Sequence, residues 1–379
     1  MTRFGFLSTF PPTRCGIATF TASLATAIEA GHEGETRIVR LLDAEEANVP
    51  TALHAAGVAG TLVASDSDSR GRAVAVLDEC DVVIVQHEYG IYGGTDGDEA
   101  VAVLAALTVP AIVVLHTVLR TPTPGQRTVL EQVCALADVV VVMTDTAYDL
   151  LRGYAVAHEK VRVIPHGVMA TPAVATPKSR VRHEGRPRVL TWGLIGPGKG
   201  IEWGIRAMAR LTDLAPRPLY SVLGQTHPKV LARHGERYRD SLEVLIDELG
   251  VRESVTLLSH YVEAEELAAA VAAADVVLLP YDSREQVTSG VLVEAIAAGV
   301  PVVATGFPHA VELLDRGPGI VVAHEDPAAM AEAIRSILTR QDLAGRMRRA
   351  ATAATAESSW ADVARRYGQL ASELRRVAA

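Results

Sequence analysis

The stretch REQVTSGVLVEAIAAGVPVVAT, residues 284–305, runs from a polar turn into a helix and then a strand. Thr288, Ser289 and Gly290 form the turn. The spacing predicts Ser289 as the N-cap, because a serine hydroxyl there accepts an N–H that the first helical turn leaves unpaired. Val291, Leu292, Ala295 and Ile296 recur at helical spacing and predict the buried stripe. PVVAT shows no polar alternation, which is the pattern of a strand covered on both faces in a parallel sheet. Glu294 lies five residues beyond Ser289, outside the position a capping-box glutamate takes. Its angle keeps it off the stripe, so on helix geometry alone it reads as an exposed glutamate.

Outward from this stretch the same alternation covers the chain. RFGFLST, TRIVRLL, DVVIVQH, AIVVLHT, DVVVVMT and VRVIPHG in the first half, and RVLTWGL, LYSVLGQ, SVTLLSH, DVVLLP, PVVAT and GIVVA in the second, are short apolar strands separated by helices. Val168–Arg188 is rich in proline, alanine and charge, has no hydrophobic period, and reads as a linker. The expected fold class is α/β: two doubly wound domains, residues 1–175 and 185–359, with sites at the C-terminal ends of their strands and a cleft between them. Trp360, Val363, Tyr367 and Leu370 predict an amphipathic final helix, about 360–379, that packs across the domain interface or back on the first domain.

Composition narrows the function. At 379 residues the chain accommodates two cores, and a net charge of -9 argues against a nucleic-acid binder while leaving room for a local phosphate site. Three separated cysteines, Cys15, Cys80 and Cys134, point to a reducing compartment and to neither a disulfide framework nor a zinc site. No apolar run approaches the roughly 20 residues that span a bilayer, and no signal-peptide pattern opens the chain. The expectation is a cytoplasmic protein.

Several constellations can carry chemistry. In STFPPTRCGIATF, Cys15 and Gly16 precede a helix whose free N–H groups can meet an anion, although a glycine needed only for the turn is as good a reading. GLIGPGKG, residues 193–200, places four glycines and Lys199 between a strand and a helix. Its spacing is that of neither a P-loop nor a dinucleotide fingerprint, yet it has a phosphate site's ingredients. A solvated loop lysine is the lesser alternative. His87 with Glu88, and His116 with Thr117, follow strands and precede irregular polar loops, where a structural histidine is as common as a functional one. Asp66-Ser67-Asp68 reads as helix capping and not as a metal motif. RHGERYRD, residues 233–240, reads as a solvated face.

Together PPTRCGIATF, VIPHGV, GLIGPGKGIE and SGVLVEAIAAGVPVVAT resemble the retaining nucleotide-sugar glycosyltransferases of family 4, over nearly the whole chain. The resemblance implies the GT-B fold of two Rossmann-like domains facing each other across a cleft. It implies that Gly16 offers its N–H to the donor diphosphate, and that His116 lies beside the donor sugar and the reaction centre. Gly198 and Lys199 would hold the leaving diphosphate; Ser289, Gly290 and Val291 would present N–H groups to phosphate; Glu294 would accept from the ribose hydroxyls. Tyr261, within His260–Val262, would border the base. Acceptor contacts would come from His87, Glu88, Tyr89, Thr117 and Arg120. The family's glycine–arginine pair reads Gly193-Leu194 here, and Gln286 stands where its first glutamate is expected, able to hydrogen-bond a sugar but not to charge it.

The implied reaction moves a sugar from a GDP- or UDP-linked donor to a small-molecule, glycan or lipid-linked hydroxyl acceptor. No metal or other cofactor is expected, because lysine and N–H groups stabilise the leaving diphosphate. The other readings are a GT-B sugar-nucleotide epimerase and a sugar-nucleotide-binding protein with little catalysis. The base, the sugar, the acceptor and the oligomeric state are not specified by the sequence.

Overall fold

A computed structural model describes residues 1–47, 57–169 and 185–378; most of the expected linker, 170–184, lies outside the described residues. The chain divides into two compact units, one of Met1–Gly167 with Glu357–Ala379 and one of Val168–Ala356.

The first unit holds strands β1 (Thr2–Ser8), β2 (Gly34–Leu42), β3 (Val58–Val63), β4 (Val82–His87), β5 (Ala111–Leu115), β6 (Val139–Val142) and β7 (Val161–Val163). They form one sheet in the order β3-β2-β1-β4-β5-β6-β7, parallel throughout. The second unit holds β8 (Arg188–Trp192), β9 (Leu219–Leu223), β10 (Val255–Leu258), β11 (Val276–Leu279), β12 (Val302–Thr305) and β13 (Gly319–Val322). These pair in the order β10-β9-β8-β11-β12-β13, again parallel. Every residue of β4, β6, β11 and β12 is buried, as uninterrupted apolar runs require when helices cover both faces. β3 was not among the expected strands. Its sequence VAGTLV carries a glycine and an alanine, and it sits at the sheet edge with only part of its surface buried, so its apolar signal is weak.

Each sheet changes winding direction once. In the first unit the change falls between β1 and β4, and in the second between β8 and β11. The strand ends flanking such a switch are where open α/β sheets bind ligands, since the loops there diverge to opposite faces and leave a crevice.

The final helix, Trp360–Ala378, belongs to the first unit and lies on the Gly16–Ala30 helix. Its predicted stripe, Trp360, Val363, Tyr367 and Leu370, is buried with Phe4, Phe6, Phe20 and Leu24. A methyl group on Gly167 would meet the Trp360 ring at 2.2 Å, so this seam tolerates only glycine.

Candidate functional site

In the second unit, β8 delivers the glycine-rich loop 193–200 to the switch point. Gly200 adopts φ +61, and a Cβ there would lie 1.9 Å from the Pro280 carbonyl oxygen. Only glycine permits that approach of the loop to the end of β11. The Asp282 N–H donates to the Gly198 carbonyl at 3.0 Å, and the Trp203 indole N–H donates to the Asp282 carboxylate at 3.0 Å. The loop is therefore tied to the residues following β11.

This tether places the Lys199 Nζ 4.3 Å from the centre of the Tyr281 ring, a cation–π contact of about 0.5–2 kcal/mol. Tyr281 is held in turn by Thr305 at the end of β12, whose hydroxyl donates to the Tyr281 carbonyl at 2.6 Å. The side chain of Lys199 keeps partial access to solvent, but protein encloses the ammonium enough to lower its pKa. Among the described residues no carboxylate pairs with it. A desolvated cation without a counter-charge has much to gain from a bound anion.

The Gly290–Ala297 helix starts beside the same strand ends. Ser289 caps it as predicted, its hydroxyl accepting the Leu292 N–H at 3.3 Å. The Ser289 N–H itself is not available to a phosphate: it donates to His309 Nδ1 at 2.8 Å. This corrects the assignment drawn from the resemblance, and leaves the N–H groups of Gly290 and Val291, which make no hydrogen bond within the described chain. Glu294 lies one turn further on. The residue is exposed, yet the protein around its carboxylate raises its pKa, while a hydrogen bond from the Trp192 side chain opposes the rise. That exposure is what helix geometry predicts, yet the residue is tied to the Trp192 side chain at the end of β8.

Gln286 is largely spent inside the turn. Its side-chain amide donates to the Thr288 carbonyl at 3.0 Å, and its own carbonyl accepts the His309 N–H at 3.3 Å. Only the side-chain oxygen remains for a ligand. Tyr261 is half-buried in the loop after β10. RHGERYRD is the solvated face it was read as at six of its eight positions, but Arg239 turns inward and is buried. Its guanidinium donates to the Gly224 carbonyl at 2.7 Å and to the Leu258 carbonyl at 3.4 Å, at the ends of β9 and β10. A single charged position that turns inward leaves no trace in a run of charged residues.

In the first unit, the loop after β1 is anchored by Arg40, which is buried and donates to Thr13 Oγ1 at 2.7 Å. The Ser8 and Thr21 hydroxyls, 2.7 Å apart, pin the following helix to β1. Cys15 caps that helix through its sulfur, 3.4 Å from the Ala18 nitrogen. Gly16 is the first helical residue, and a Cβ there would meet nothing within 4 Å. Neither a positive φ nor packing demands a glycine at that position.

At the ends of β4 and β5, the His116 N–H extends the ladder to the His87 carbonyl at 3.0 Å. The two rings fare differently. His87 is fully buried against Tyr89, at 5.2 Å between centroids, and Tyr92, at 6.5 Å. Burial holds its pKa down at about 4. Its expected acceptor role is corrected, since it offers no surface to a ligand. Tyr89 also turns its hydroxyl inward, where it finds no partner. His116 keeps an open edge while the Phe20 ring packs edge-on at 5.1 Å. Burial, with His166 and His87 nearby, lowers its pKa to about 3. Thr117 donates to the Glu88 carboxylate, and Arg120 is exposed.

The structure thus brings Gly198, Lys199, Gly290, Val291 and Glu294 to one switch point, and Gly16, His116, Thr117 and Glu88 to the other. Tyr281, Trp192, His309 and Gln86 were missed. Each stands at a strand end or beside a cap, so position relative to the strands was the available signal. Among the described residues no three histidine, cysteine, aspartate or glutamate side chains converge, and no helix is long and apolar enough to cross a membrane.

Residues 175–354 match the family model Glycosyl transferases group 1, and residues 51–171 match Glycosyltransferase Family 4. A D-inositol 3-phosphate glycosyltransferase of Corynebacterium jeikeium is 32% identical over 268 residues, covering 66% of this chain and 61% of that protein. The chain spans about three-fifths of the length of such curated relatives. HepE of Anabaena, solved with UDP-glucose, superposes with a TM-score of 0.74 at 18% identity, over 98% of this chain and 100% of that one. Sucrose-phosphate synthase of Thermosynechococcus elongatus superposes with a TM-score of 0.74 at 19% identity over 100% of both. The fold is GT-B, and the chain belongs to the group 1 glycosyl transferases of glycosyltransferase family 4.

Proposed function

We propose that the protein is a retaining glycosyltransferase that moves a sugar from a nucleoside diphosphate sugar to a hydroxyl acceptor. The observation that carries this reading is the set at the β8/β11 switch point: an unpaired, partly desolvated Lys199, two open helix-start N–H groups and Glu294 beyond them. A diphosphate fits between the cation and the N–H groups, and a ribose diol suits the carboxylate. HepE was solved with UDP-glucose, so uridine diphosphate donors are the first to test.

As the bond from the anomeric carbon to the diphosphate oxygen breaks, negative charge grows on that oxygen. Lys199 and the N–H groups of Gly290, Val291 and Gly16 stabilise it, which lowers the barrier by electrostatics without a protein nucleophile. The acceptor oxygen forms the new bond on the same face, and its proton passes to the departing phosphate. His116, held neutral, contacts a hydroxyl of the transferring sugar. Glu88, Thr117 and Arg120 address the acceptor. No metal is needed where lysine and N–H groups carry the charge. The cytoplasm, where nucleotide sugars are made, is the proposed location.

A thermal-shift screen of nucleoside diphosphates and their sugars tests the donor half. Stabilisation by UDP or GDP that Lys199→Ala abolishes is the expected result, and no shift with any nucleotide would sink the reading. Product appearing from the donor sugar nucleotide alone, with no acceptor, would move the assignment to an epimerase.

A further inference from the structure

Gln86 has no place in the mechanism above, yet it is a polar side chain at zero exposure near the end of a valine-rich strand. Such a residue costs stability unless it makes hydrogen bonds. Its side-chain oxygen lies 2.7 Å from His116 Nε2, while its amide nitrogen is buried with no partner. Its backbone carbonyl accepts the Tyr92 hydroxyl at 2.7 Å, which fixes the strand end from the other side. With Phe20 packed edge-on against the same imidazole, the ring has one buried nitrogen facing Gln86 and one nitrogen toward the open edge.

We infer that Gln86 is the positioning residue that sets the hydrogen-bonding polarity of His116, holding the proton on Nε2 so that Nδ1 accepts from a hydroxyl of the bound sugar. The inference rests on the nucleotide-sugar reading for the identity of the ligand, but not for the state of the ring. An amide oxygen accepts only, so the nitrogen facing it must carry the hydrogen. The other nitrogen of a neutral imidazole is then a pure acceptor. A sugar hydroxyl can donate to it at little cost, whereas a group that can only accept is turned away. An apolar strand retains a glutamine with an unsatisfied amide nitrogen because the oxygen determines which ring nitrogen faces the ligand.

The test uses the full chain labelled with 15N-histidine. Long-range proton–nitrogen correlation spectra, assigned with His116→Gln, should show the Nε2–H tautomer for His116 in the unaltered protein. Gln86→Met should lose that fixed state, and Gln86→Glu, which keeps an acceptor at the same place, should retain it. In parallel, the ratio of UDP-glucose affinity to UDP affinity should fall about two- to tenfold in Gln86→Met. UDP affinity alone should stay unchanged, and Gln86→Glu should restore the ratio. An Nδ1–H tautomer in the unaltered protein, or an unchanged ratio in a folded Gln86→Met, overturns the inference. If neither ligand binds the unaltered protein, the nucleotide-sugar reading fails, and the spectra still decide the polarity of the ring. If Gln86→Met does not fold, the unaltered protein and Gln86→Glu decide it.

Discussion

The two sheets wind alike, but their switch points are furnished with opposite chemistry. The second unit presents charge: Lys199 over an aromatic face, an exposed Glu294, and helix-start N–H groups without an intrachain acceptor. The first presents neutral imidazoles packed among Phe20, Tyr89, Tyr92 and Trp360. On the function proposed above, one architecture used twice in a chain would serve chiefly a charged leaving group in one copy and uncharged hydroxyls in the other. The fold supplies the location, and the few residues after each strand supply the chemistry.

The sharpest way to break this contrast is to remove the cation. Lys199→Ala should lower turnover of the donor about 10²–10³-fold, the scale for losing one charge-stabilising group. The fold should remain intact by circular dichroism. Undiminished turnover at saturating donor would show that the second unit does not act through charge. Glu294→Ala should come next, with UDP affinity down roughly tenfold or more as a charge-assisted hydrogen bond is lost. A dideoxyribose analogue should bind the variant and the parent alike. A larger loss for the analogue than for UDP would remove the ribose assignment.

The first unit should reveal itself through pH. His87, His116 and His166 are held by burial at pKa values of about 4, 3 and 4, below the ordinary 6.5. Their neutral forms favour the folded state, so the stability they support is complete above pH 6.5 and is lost as pH falls toward 4. Glu294 has the opposite sign, because its raised pKa means its ionisation opposes folding as pH rises through the carboxylate range. Thermal melts between pH 7 and 4.5 should therefore show unfolding of the first unit moving to lower temperature. A flat profile would mean that the imidazoles are better solvated than the packing implies.

The smallest effect on stability is the most discriminating about function. Gly16→Ala should change unfolding free energy by less than about 0.5 kcal/mol, since the methyl group would meet nothing within 4 Å. The same change should weaken donor binding or turnover measurably. A variant that loses stability but keeps its activity would reduce Gly16 to a turn residue.

Much of this was legible before any coordinates. Apolar runs without alternation identified parallel strands, and Ser289 announced its helix because capping is local chemistry. The Gly198–Lys199 loop was legible as well, since glycine and lysine between a strand and a helix limit what the loop can do. What remained hidden depends on the third dimension. His87 and His116 look equivalent in sequence, each after a strand, but the loop following His87 folds Tyr89 and Tyr92 back over it while His116 keeps an edge. The Ser289 N–H reads as open until His309, twenty residues on, takes it. Arg239 turns inward because carbonyls at two strand ends lie beneath it, and no pattern along one strand records its neighbours.

The Trp360–Ala378 helix makes the first unit discontinuous: its core lacks Val363, Tyr367 and Leu370 until that helix is made. On the ribosome, Val168–Ala356 can therefore finish folding before the unit that precedes it. The N-terminal sheet must wait, with the apolar side of its first helix uncovered, through the synthesis of the whole second unit. Order of synthesis and order of completion run in opposite directions, and a chain released early would strand the imidazole half of the molecule unfinished while leaving the ionic half whole.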